Sequence, residues 1–146
     1  MRVSTRTRYG IRLMIALASN YNKGSVLLKN VAESENISEK YLSQIVIPLR
    51  RAGLITGSRG MHGGYILTRK PSEITVKEIF DTLEGDGFVI DCALEPNSCS
   101  RSTTCASIEL WNLLSKRINE FLNEITLEDL LKIKKDKELS FIEYVI

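Results

Sequence analysis

The chain has 146 residues, 43% of them hydrophobic and 26% charged, with only three prolines, a composition that suits one compact core and excludes both a large enzyme and a disordered chain. The net charge of +2 hides a strong segregation. Residues 1–70 carry 12 Lys+Arg against 3 Asp+Glu, whereas residues 71–146 carry 8 against 15, so the first half is the part expected to meet a polyanion.

In chain order, Met1–Arg6 show no apolar run of the length a secretory leader or a membrane span needs, so a cytoplasmic location is expected. From Arg8 to Asn22, Ile11, Met14, Ile15 and Ala18 recur at helical spacing and predict a first helix packed on a core. Lys23-Gly24 ends it, Val26-Leu27-Leu28 leads into a second helix carrying Val31 and Ala32, and Asn36 breaks the chain again. Ser38 stands where an N-cap belongs, and Leu42, Ile45 and Leu49 repeat at helical spacing as far as Ala52-Gly53, predicting a third helix. Pro48 removes a helix hydrogen bond, so a bend or an early end is expected there. The outer face of this helix carries Ser38, Glu39, Lys40, Ser43, Gln44 and Arg51, side chains that pair with base edges and phosphates.

Leu54-Ile55-Thr56 and Tyr65–Thr68 read as two strands around the glycine-rich tip Ser58–Gly64, a β-hairpin containing Arg59 and the only histidine, His62. Three helices and a hairpin in a basic segment follow the order of a winged helix-turn-helix, with the third helix entering the major groove and the wing lying along the backbone or in the minor groove. His62 is read as a wing contact to DNA or a solvent-exposed side chain rather than a metal ligand. Ile74, Val76, Ile79, Phe80 and Leu83 predict a further helix from about Thr75 that closes the domain at residue 84.

Periodicity then stops. Residues 85–105 form a polar segment holding all three cysteines, Cys92, Cys99 and Cys105, in the spacing C-x6-C-x5-C. Reduced cytosolic thiols argue against a disulfide framework and leave metal or redox chemistry to explain the clustering. A cysteine-rich loop suits an iron-sulfur cluster, whereas structural zinc favours tight C-x2-C pairs and four protein ligands, of which this loop supplies three. Beyond it, Trp111, Leu114, Ile118, Phe121 and Ile125 step by 3, 4, 3 and 4, as in a helix that pairs with another helix, so 106–146 is expected to dimerise the protein. Thr126-Leu127-Glu128-Asp129 opens a last short helix through Leu131, and the apolar tail Phe141–Ile146 has no assigned place. The fold class is thus mainly α: a winged helix-turn-helix domain with a long C-terminal dimerisation helix.

Ser4-Thr5-Arg6, Arg8-Tyr9-Gly10, Ile37-Ser38, Tyr41-Leu42, Gly53-Leu54, Arg59-Gly60, Gly63-Gly64-Tyr65, Leu110-Trp111 and Phe121–Leu127 together give a chain that resembles the IscR/NsrR family of bacterial transcription factors, the IscR branch in particular. The resemblance implies a homodimer on a roughly palindromic double-stranded DNA operator, with DNA contacts from Ser38, Lys40, Tyr41, Ser43, Gln44 and Arg59. It also implies a 2Fe-2S cluster on Cys92, Cys99 and Cys105. The loop carries one extra residue in its first interval, and the fourth ligand departs from the family pattern. Where the IscR branch has a histidine, this chain has Ile108, and where the nitric-oxide-sensing branch borrows a carboxylate from the first helix of the partner subunit, it has Arg8. Glu84, Asp86, Asp91, Glu109, a small-molecule thiol or water are the remaining choices. Ser43 stands where family members that discriminate holo from apo operators have glutamate. The rival readings are a cluster-free regulator switched by cysteine oxidation, an iron-sulfur redox protein and a structural adaptor; no nucleophile-base constellation supports an enzyme.

Overall fold

The computed structural model describes residues 2–61, 63–85 and 95–145, with the backbone alone at Pro96. Helix α1 spans Thr5–Ser19, earlier than its apolar spacing suggests, because the Ser4 hydroxyl accepts from the Thr7 N–H and caps it. Leu13, Met14, Leu17 and Ala18 are buried from this helix, while Ile11 and Ile15 lie at the edge of the core. Helix α2 (Leu28–Glu35) ends at Asn36, whose backbone is left-handed, and helix α3 (Glu39–Arg51) starts at the expected cap, with the Ser38 hydroxyl accepting from the Tyr41 N–H.

Pro48 neither ends α3 early nor prevents its last turn. The helix continues to Arg51 because Pro48 still offers its carbonyl to the Ala52 N–H, and the following residue, Leu49, is fully buried. Gly53 then takes φ +72, and the N–H groups of Gly53 and Leu54 return to the carbonyls of Arg50 and Leu49. This is a Schellman stop, sealed by the buried pair Leu49 and Leu54.

Strands β1 (Ile55–Ser58) and β2 (Gly64–Leu67) pair antiparallel, Ile55 opposite Leu67 and Ser58 opposite Gly64, so the wing begins and ends slightly off the sequence expectation. Val26 adds a third rung: its N–H and carbonyl each bond to Tyr65 at 2.9 Å, which ties the wing to the connection before α2. A 3-10 turn at Pro71–Glu73 leads into α4 (Val76–Glu84), which packs on α1 and α3. Gly10 permits that approach, since a Cβ there would lie 2.2 Å from Cδ1 of Leu83.

After a second 3-10 turn at Pro96–Ser98, α5 (Ala106–Glu124) packs against α4, and α6 (Leu127–Val145) packs against α1 and the first 3-10 turn. The expected short last helix is in fact 19 residues long and absorbs the apolar tail, because no glycine or proline interrupts it after Leu131. Ile125, read as the end of the α5 stripe, instead leaves that helix and pairs its backbone with Val76.

Two similar pentapeptides, Ile74–Glu78 and Ile125–Asp129, lie side by side there. Val76 N–H donates to the Ile125 carbonyl at 2.8 Å and Leu127 N–H to the Ile74 carbonyl at 2.9 Å. Each pentapeptide is also an N-terminal box, Thr75 with Glu78 and Thr126 with Asp129, in which the carboxylate accepts from the threonine N–H. Burial works against the Glu78 charge, but bonds from Thr75 and Arg69 outweigh it and lower its pKa; bonds from Thr126 lower that of Asp129. Both folded-state pKa values therefore lie below the unfolded ones. The stabilisation is complete above about pH 5 and is lost as pH falls below about 4. Thr75→Ala is expected to cost about 1 kcal/mol at pH 7, and Thr126→Ala to destabilise in the same direction, with both deficits shrinking at pH 3 in urea unfolding followed by circular dichroism.

Candidate nucleic-acid interface and cysteine segment

The buried stripe Leu42, Ile45, Val46 and Leu49 fixes which side of α3 faces out. Lys40, Ser43, Gln44, Ile47 and Arg51 then form one solvent-facing row at helical spacing, all of them exposed. Ile47, 50% exposed, is a member of this row that polar patterning does not single out; an apolar group there suits contact with a thymine methyl. Ser38 is exposed but occupied as the cap, and the Ser43 hydroxyl donates back to the Glu39 carbonyl at 2.9 Å. Tyr41 is half-buried, its ring edge-on to Tyr9 at 5.9 Å and 87°. Arg12 lies over the Tyr9 ring and pairs with Glu35, linking α1 to α2.

Arg59 is exposed at the wing tip, and Met61 beside it is 98% exposed. Met61 was also missed by polar patterning, although an apolar side chain at a wing tip is the type that wedges into a minor groove. Gly60 takes φ +121, and its carbonyl accepts from Gly63, which closes the tip tightly. His62 lies outside the described residues.

Cys99 ends the second 3-10 turn and Cys105 is the N-cap residue of α5; both are half-exposed free thiols. Cys105 Sγ lies 3.0 Å from the Ser107 hydroxyl, and this bond, with those from the Ile108 and Ser107 N–H groups, lowers the thiol's pKa and favours thiolate. Cys92, Asp86 and Asp91 lie outside the described residues, and no group of three metal-binding side chains forms among the described ones.

The structure places three further residues considered beside the cysteines. Ile108 is the one buried residue of α5 and serves packing. Glu84 accepts from the Ser4 N–H at 2.7 Å, so it is already engaged, whereas Glu109 is exposed one helical turn from Cys105. The lowered thiol pKa of Cys105 and an accessible Cys99 fit the donor chemistry of an iron-sulfur cluster.

Apart from Ile108, every apolar residue of α5 retains solvent exposure, with Leu110, Leu113 and Phe121 more than half exposed. On α6, Ile133, Phe141 and Ile142 line an open groove of about 670 Å³ against Ile15 and Arg12 of α1. No helix among the described residues is long and apolar enough to cross a membrane.

Comparison with known proteins matches residues 3–133 to the Rrf2 family, described as iron-dependent transcriptional regulators. The transcriptional regulator CymR of Bacillus subtilis is 37% identical over 145 residues, covering 99% of this chain and all of the relative. The solved structure of that CymR, described as the global cysteine regulator of B. subtilis, superposes with a TM-score of 0.78 at 39% identity, covering 91% of this chain and 98% of the other. That of T. potens IscR gives 0.77 at 37% identity, covering 94% and 90%. The mainly helical winged-helix architecture expected from the sequence agrees with these structures.

Proposed function

Since this chain belongs to the Rrf2 family of transcriptional regulators, we propose that it is a homodimer that binds a double-stranded operator and whose affinity is set by an iron-sulfur cluster on Cys92, Cys99 and Cys105. The carrying observation is the exposed row Lys40, Ser43, Gln44, Ile47 and Arg51 beside a wing that presents Arg59, all within the half of the chain that has an excess of nine positive charges. Residues 1–84 form the reading head, 85–105 the sensing segment and 106–146 the dimerisation part. In this reading α3 enters the major groove, Gln44 and Lys40 meet base edges, and Arg59 and Met61 follow the adjacent minor groove.

A 19-residue helix with a single buried side chain needs a cover, and its exposed Leu110, Leu113 and Phe121 suit a second copy of α5. The dimer then places two α3 helices on half-sites about one helical turn apart. When bound, the cluster would be held by Cys92, Cys99 and Cys105 and would supply a redox-responsive centre there. Cys105 is the N-cap residue of α5, which packs on α4; α4 packs on α1 and α3. A change at Cys105 is thereby carried to the reading head through packed helices, and small changes in α3 spacing alter operator affinity. A second reading has its own support: the lowered pKa of Cys105 suits direct thiol oxidation as the switch.

Selection from a random duplex pool is expected to return an inverted repeat. On that repeat, Gln44→Ala and Arg59→Ala are each expected to cost about 1–3 kcal/mol in binding, Gln44→Ala also relaxing preference at one base position. Recovery of no preferred sequence would overturn the operator reading.

A further inference from the structure

We propose that Ile47 is a specificity residue of α3: it reads the C5-methyl group of a thymine in the base pair next to the one met by Gln44. The inference rests on the DNA-binding reading above and deepens it by naming the base that α3 requires there.

At about 100° per residue, Ile47 lies about 150° around α3 from the centre of the buried stripe Leu42, Ile45, Val46 and Leu49. It stands outside the core, with half of its surface open to water. Around the helix it falls between Ser43 on one side and Gln44 on the other, and along the helix between Lys40 and Arg51, all of them exposed. The outward row thus has an apolar centre and a polar rim. When α3 enters the major groove, the rim reaches phosphates and base edges while the centre faces the groove floor. The apolar substituent that floor offers is the thymine C5-methyl group. The other base edges present donors and acceptors, which an isoleucine covers without pairing, at a cost.

Local geometry favours the contact. A helical side chain leans toward the preceding turn, and one turn before Ile47 stands Ser43, which is short and whose hydroxyl donates back to the Glu39 carbonyl at 2.9 Å, so it does not shield Ile47 from the bases. A β-branched side chain in a helix holds nearly one rotamer, so little freedom is lost in seating it against a methyl group. Three residues advance α3 by about 4.5 Å, somewhat more than the rise of one base pair at about 3.4 Å, which sets Ile47 on the pair neighbouring that of Gln44.

The probe is the inverted repeat returned by selection from a random duplex pool. Each thymine is replaced in turn by deoxyuridine, symmetrically in both half-sites, which keeps the base pair and removes only the methyl group. Affinity of the full chain is measured by fluorescence anisotropy. In the wild type one thymine per half-site is expected to be sensitive, with a loss of about fourfold for each methyl group left uncovered and about 15-fold for the pair. Ile47→Ala is expected to bind the thymine and uracil duplexes alike, whereas Gln44→Ala keeps the thymine effect and relaxes the neighbouring pair. Ile47 is exposed, so circular dichroism is expected to show Ile47→Ala folded as the wild type is. If the wild type prefers a repeat in which no thymine is sensitive, or if Ile47→Ala keeps the sensitivity, the assignment to Ile47 is wrong while the operator reading stands. Recovery of no preferred sequence overturns both.

Discussion

Gly64→Ala is expected to destabilise the protein by about 3 kcal/mol and to lower its melting temperature by roughly 10 °C. A Cβ at Gly64 would sit 2.4 Å from the Val26 carbonyl oxygen and 2.6 Å from its carbon. These are backbone atoms, so the clash is not relieved by rotating a side chain. The strand must pull away, and the two Val26–Tyr65 hydrogen bonds break with it. The wing then loses its anchor to the connection between α1 and α2, and DNA affinity falls further than global stability requires. Gly57→Ala is the control: the nearest atom to its Cβ is Tyr65 Cε1 at 3.9 Å, ordinary van der Waals contact, and the variant should melt close to wild type. Equal melting of the Gly64 variant and wild type would show that the third rung of the wing does not form.

The second large effect concerns the joint between the winged-helix part and the C-terminal helices. Leu127 is fully buried in the same core as Leu13, Leu42 and Ile79, although it is the first residue of α6. Leu127→Ala should cost about 3 kcal/mol through lost burial and the cavity left behind. Because the core is continuous across the joint, the loss is expected as one earlier cooperative transition in circular dichroism. Separate early melting of α5 and α6, with the remainder unchanged, would mean that these helices are not part of the core.

The winged-helix head was legible because its signals are local. Ser38 before an apolar period of helical spacing, Gly53 after it and a glycine-rich tip between two strands each carry their own mechanism, and each stands close to where the sequence puts it. The early end expected at Pro48 does not occur, because a proline near a helix end costs one hydrogen bond, which the burial of Leu49 offsets. The length of α6 was missed because its distal half is exposed throughout and shows no clean buried stripe. The pairing of Thr75 with Thr126 is a long-range contact that no local pattern reveals. On α3, Lys40, Ser43, Gln44 and Arg51 are exposed as their spacing predicts, while the exposure of the apolar Ile47 and Met61 is not legible from polar patterning. Glu84 was considered for a ligand role, whereas its carboxylate caps the start of α1 through Ser4, a partnership 80 positions apart in sequence.

The most direct test of the account is the visible absorption spectrum, with iron and acid-labile sulfide per protomer, of protein purified without oxygen. The account predicts a coloured protein with iron and sulfide in equal amounts, and alanine variants of Cys92, Cys99 and Cys105 that each lose the colour while still binding duplex DNA. A colourless, iron-free protein that stays so after anaerobic reconstitution would contradict the cluster and leave Cys105 as a thiol switch on an otherwise unchanged DNA-binding regulator.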